Sequence, residues 1–106
     1  MGVVSIGGAV IDATRFVITG SALCGLQVAV GRFMDEEGSV VSYEKGGTID
    51  LHDGYIVNNP IGANIQTDDF DVERLRDNVR WDNYDIDIDT SEIYVPTATG
   101  LLEDLP

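Results

Sequence analysis

Cysteine, histidine and lysine are nearly missing from this chain of 106 residues, in which Cys24, His52 and Lys45 are each the sole residue of their type. One cysteine forbids an internal disulfide, and one cysteine with one histidine cannot assemble a zinc set from a single chain. Cys24 lies in Ala22-Leu23-Cys24-Gly25-Leu26, a context that reads as a small buried thiol rather than a nucleophile. Long apolar runs are missing too, so no membrane-spanning helix is expected. The opening Met1-Gly2-Val3-Val4-Ser5-Ile6 has no basic segment and is soon interrupted by Gly7-Gly8 and Asp12, unlike a secretory signal. Ile6 stands where a myristoylation signal needs Ser or Thr. A virion or cytoplasmic location, without signal-peptide export, is the resulting expectation.

Positive charge is scarce: 6 basic residues face 19 acidic ones, for a formal net charge of −13. That balance disfavours direct nucleic-acid binding through a basic surface. The acids are 13 Asp and 6 Glu, and the bases are five Arg and one Lys. Short carboxylates with almost no lysine fit adaptation to concentrated salt, where long apolar lysine stems are avoided on the surface. A nucleic-acid mimic and a solvated acidic face without special meaning are the competing readings. Mimicry gains nothing from replacing Lys by Arg.

At 43% apolar residues the chain carries enough material for one core, and its length suits a single domain. No internal repeat is evident in the residues themselves. Short β-rich runs alternate with turn signals: residues 3–6 and 9–11 around Gly7-Gly8, 15–19 ending at Gly20-Ser21, and 26–30 with Leu26, Val28 and Val30 on one face. Asp35-Glu36-Glu37-Gly38 turns into residues 39–43, and Lys45-Gly46-Gly47 closes the next connection. Residues 48–51 and 55–57 flank His52-Asp53-Gly54, which reads as a tight hairpin turn with His52 at its tip. Asn58-Asn59-Pro60 then breaks the pattern. Val72, Leu75 and Val79 at helical spacing, with Asp68, Asp69 and Asp71 before Arg74, Arg76 and Arg80, predict an amphipathic helix around residues 68–80 capped by Thr67 or Asp68. Tyr84-Asp85-Ile86-Asp87-Ile88-Asp89 reads as a strand with isoleucines in the core and aspartates in solvent.

The expected architecture is mainly β (α+β): a small antiparallel β-barrel or sandwich of hairpin-linked strands with that one helix. A β-rich domain is expected over residues 1–95, followed by a tail over 96–106. In the tail, Leu101, Leu102 and Leu105 form an apolar knob suited to docking on a neighbouring subunit, the alternative being that they fold back onto their own domain to cover the sheet edge or helix.

No catalytic or cofactor constellation is read from the residues. Asp85, Asp87 and Asp89 have the opening spacing of a calcium loop, but Thr90 and Pro96 stand where it needs Gly and Glu, so no metal site is assigned. Phosphate-binding and dinucleotide glycine patterns are absent, no serine has a nucleophile-elbow context, and His52 lacks an orienting acid fixed by motif. The three helix arginines follow a block of acids and make a dipole rather than a phosphate site. No cofactor and no enzymatic activity are expected. The function anticipated is a structural or assembly subunit, in the manner of a capsid-decoration, head-tail or tail component of a tailed virus with a halophilic host, forming a homo-oligomer or larger assembly. The alternative is an acidic inhibitor, nucleic-acid mimic or immunity-type protein that binds a basic protein surface. Carboxylates gathered on one face would favour the inhibitor, and carboxylates spread all around would favour salt adaptation.

Overall fold

A computed structural model describes residues 1–68 and 70–92 of the chain. Valine- and isoleucine-rich segments form ten short strands: β1 (Val3–Ser5), β2 (Val10–Thr14), β3 (Val17–Thr19), β4 (Cys24–Ala29), β5 (Arg32–Met34), β6 (Val40–Ser42), β7 (Thr48–Val57), β8 (Ile61–Gln66), β9 (Asp77–Asp82) and β10 (Ile86–Asp89). Sheet A runs in the order β1-β4-β8-β10. Sheet B has β2 and β3 in line along one side of β7, and β9 along the other.

Every pairing within these two sheets is parallel. The chain therefore winds as a solenoid. Each coil passes once along sheet A and once along sheet B, then returns to lie in register on the coil before it. Coil 1 holds β1, β2 and β3; coil 2 holds β4 and β7; coil 3 holds β8 and β9; and β10 begins a fourth pass. Val3 lies beside Leu26, and Ile61 beside Ile86, so the step is 23 to 25 residues in those two coils, and 37 between Gln27 and Asn64. Between β4 and β7 the chain inserts β5 and β6, the one antiparallel pair among the described residues, with Phe33 and Tyr43 rings 4.9 Å apart at its base.

The two sheets face each other across one core. Leu26, Val28, Ala63 and Ile65 point inward from sheet A and meet Ile18, Ile49, Leu51 and Ile56 from sheet B. Leu75, fully buried, joins this core from a turn that packs against β7 and β9. Alternation along β4 places Leu26 and Val28 inward, as their spacing predicts.

Several expectations are corrected. The β-rich character holds, but the sheets are open and parallel, so neither a closed barrel nor a chain of antiparallel hairpins forms. Gly7-Gly8 does not pair β1 with β2, because β1 pairs β4. His52-Asp53-Gly54 is no hairpin tip: β7 runs straight through it, bending at Asp53, whose φ is 58°. Residues 61–66 form β8, a central strand of sheet A that the sequence reading passed over. The helix around 68–80 is replaced by a single 3-10 turn, Val72–Leu75, capped by the Asp71 carboxylate, which accepts from the Glu73 N–H. Val72, Leu75 and Val79 do face the core as their apolar character requires, but Val79 arrives there on strand β9. Parallel hydrogen bonding of residues 77–82 to β7 satisfies more backbone than a helix of that length would, and the αL residue Asn78 is incompatible with continuing one. In β10, Ile88 packs against the core while Ile86 is 45% exposed, because β10 is an edge strand with no further strand beside it among the described residues. The proposed tail, with Leu101, Leu102 and Leu105, lies outside the described residues.

Stacking of like conformations makes the coils superimpose. Arg15, Asp53 and Asn78 follow the register-matched residues Thr14, His52 and Asp77, and their φ angles are 57°, 58° and 53°. Gly20, Asn58 and Asn83 form a second such column, at 73°, 60° and 53°. Gly, Asn and Asp tolerate this left-handed conformation, and the Asn and Asp side chains add hydrogen bonds along the column. Asn78 donates to Asp53 at 2.7 Å, and Asn83 donates to Asn58.

Candidate functional site

Because successive coils stack in register, residues far apart in sequence become neighbours on the outer face of sheet B. Asp12 on β2, His52 on β7 and Asp77 on β9 come together there. His52 Nδ1 lies 2.7 Å from Asp77 Oδ2, and its Nε2 lies 3.3 Å from Asp12 Oδ1. The Asp77 hydrogen bond holds the imidazole above its ordinary pKa, assisted by the charges of Asp12, Asp77 and Asp50. Beside the histidine, Asp50 is paired with Arg74 at 3.1 Å.

With a carboxylate near each ring nitrogen, His52 links three coils, and its protonated form is the one both carboxylates favour. The Nδ1 hydrogen bond to Asp77 fixes the orientation of the ring. Local sequence fixes no acid to orient His52; stacking of the coils brings two. The signal for Asp77 was the coil step: it stands 25 residues after His52, one coil on.

A shallow groove of about 400 Å³ lies alongside, lined by Asp53, Tyr55, Arg76, Asn78 and Arg80. Its arginines are already engaged, Arg76 with Glu73 and Asp87, and Arg80 with Asp82. Arg74, Arg76 and Arg80, expected on one helix, thus separate onto different carboxylates: Asp50 for Arg74, Glu73 and Asp87 for Arg76, and Asp82 for Arg80.

On the outer face of sheet A a polar ladder crosses the coils. Gln27 on β4 donates to Asn64 on β8 at 2.9 Å, and Asn64 donates to Asp89 on β10 at 3.0 Å. Asp89 also accepts from the Ser91 hydroxyl at 2.6 Å, and this bond is the main cause of its lowered pKa. Asp87 instead accepts from the Ile88 N–H and faces Arg76. The aspartates of the alternating strand therefore serve separate partners. Among the described residues no group of three or more His, Cys, Asp or Glu is disposed to hold a metal ion. Cys24 is buried, and desolvation pushes its thiol pKa up, away from the thiolate a nucleophile requires. No described helix is long and apolar enough to cross a membrane.

Comparison of the chain with protein-family models, with curated proteins and with solved structures finds no match.

Proposed function

We propose that this chain is a non-enzymatic structural or assembly subunit working in concentrated salt, of the kind built into a virus particle as a capsid-decoration or head-tail component. The observation that carries the reading is the distribution of charge over a rigid stacked scaffold. Carboxylates occupy the outer face of sheet B (Asp12, Asp77), the turn of the inserted hairpin (Asp35, Glu37), the 3-10 turn (Glu73) and the edge of sheet A (Asp87). An inhibitor of a basic surface gathers its acids on one face, whereas here they lie on both sheets, the inserted hairpin and the 3-10 turn, densest along β9 and β10 and sparse on coil 1. The polar ladders and the His52 clamp lock coil to coil, which suits a load-transmitting spacer more than a site that must open and close. Leu101, Leu102 and Leu105 are proposed as an additional docking knob toward a neighbouring subunit.

Isolation from the native source in molar potassium chloride tests the proposal. Recovery of the chain in a particle-sized fraction at fixed stoichiometry supports it. Recovery only as a soluble complex with one basic protein transfers the reading to an acidic inhibitor or immunity-type protein.

A further inference from the structure

The first and last strands of the solenoid, among the described residues, differ in kind. Among the described residues, β1, β2 and β3 of coil 1 each pair on one side only, leaving a parallel edge whose backbone groups are open to another strand. Residues 1–22 carry Asp12 and Arg15 as their only charged side chains. This end is also apolar at its surface: on sheet B Val10 is 69% and Val17 63% exposed, and on sheet A Val4 is exposed. At the opposite end, residues 77–92 carry Asp77, Asp82, Asp85, Asp87, Asp89 and Glu92 against Arg80 alone. Charged side chains on an edge strand are the ordinary means of preventing edge-to-edge pairing, so the β9/β10 end is blunted and the coil 1 end is not.

We infer that the coil 1 end is a self-association surface, and that its occupant is the coil 1 end of a second copy of this chain, in a closed two-fold dimer. This inference rests on the assembly reading above and names the partner. Charge selects this arrangement over the alternatives. Joining two β9/β10 ends brings twelve carboxylates together. Stacking coil 1 of one copy on the β9/β10 end of another lays the six carboxylates of residues 77–92 along the contact, where charged side chains disfavour edge pairing. Joining coil 1 to coil 1 lets both sheets continue across the contact, sets Val10 and Val17 on sheet B and Val4 on sheet A beside the second copy's edge, and leaves only Asp12 and Arg15 near it, where each can face its opposite across the two-fold axis. The remaining acids stay in solvent, and salt weakens the long-range repulsion between the two chains.

Sedimentation equilibrium of the intact chain in about 2 M potassium chloride, over a wide range of protein concentration, tests this. The expected result is a monomer–dimer equilibrium that stops at the dimer and tightens with salt. Substituting Val10→Lys and Val17→Lys should weaken the dimer at least about a hundredfold with an unchanged circular dichroism spectrum. Should that variant fail to fold, a spin label on Val4→Cys provides the second readout: a single short label-to-label distance supports the two-fold contact. Growth beyond the dimer as concentration rises overturns the two-fold arrangement while leaving the assembly reading intact. A dimer that survives the lysines and is lost on deleting residues 96–106 overturns the inference in favour of tail docking. A monomer under every condition overturns both.

Discussion

His52 Nδ1 and Asp77 Oδ2 are 2.7 Å apart although 25 residues separate them, and the pair ties coil 2 to coil 3 on the outer face of sheet B. Its strength depends on which form the imidazole takes. A histidine whose folded pKa is raised contributes stability that is complete below its unfolded value, near 6.5, and is lost as pH rises through the folded value. The thermal midpoint in constant salt should therefore be higher at about pH 6 than at about pH 8.5. His52→Gln should flatten that difference, and a pH dependence identical in the variant and the parent would show that the clamp carries none of it.

The ladder on sheet A should be more sensitive than the clamp because it is buried. Asn64→Leu removes the acceptor for Gln27 and the donor to Asp89 together, with Asn64 itself fully buried. A loss of about 1–3 kcal/mol in urea denaturation is expected. An Asp89→Asn change at the exposed end of the ladder should cost less.

Leu75 and Ile86 separate a true core position from one that merely alternates. Leu75 is fully buried, so Leu75→Ala should cost about 2–5 kcal/mol. Ile86 sits on the edge strand with nearly half its surface in water, and Ile86→Ala should cost under about 1 kcal/mol. Chemical denaturation of the two variants side by side checks the ranking, and equal losses would mean that the edge of sheet A is covered in solution.

Gly54 is fixed by its neighbour on the adjacent coil. A β-carbon at this position would lie 2.5 Å from the Phe16 ring and 2.6 Å from the Phe16 carbonyl oxygen, and the backbone oxygen cannot retreat without breaking the β3–β7 register. Gly54→Ala is expected to destabilise by about 1–3 kcal/mol through overpacking. Gly38, in the hairpin turn with open space around it, is the control for crowding: its φ of 84° gives an alanine strain but no clash.

Stability should also climb with salt. Self-repulsion of a −13 chain reaches about 30 Å at 0.01 M and about 3 Å at 1 M salt. The thermal midpoint in about 2 M potassium chloride should clearly exceed that in about 0.05 M. Equal midpoints would remove the basis for a salt-adapted reading.

Composition and alternation by themselves determined that the chain is β-rich, that Leu26 and Val28 face inward, that Cys24 is a buried bystander and that the Asp35 to Gly38 segment turns the chain. These are local properties: the period of two, the turn residues and the burial of apolar side chains need no knowledge of a distant partner. Tertiary structure alone decided that the strands pair in parallel, that residues 77–82 extend rather than coil into a helix, and that His52 meets Asp12 and Asp77. Those outcomes depend on register between coils, and the register is obscured in the sequence because the β5–β6 insertion lengthens one coil step to 37 residues between Gln27 and Asn64, while coils 2 and 3 repeat at 25 between Asn58 and Asn83. Hydrogen bonds across that register outweigh the helical spacing of Val72, Leu75 and Val79, because a central strand such as β7 satisfies its backbone on both sides only if β9 extends alongside it.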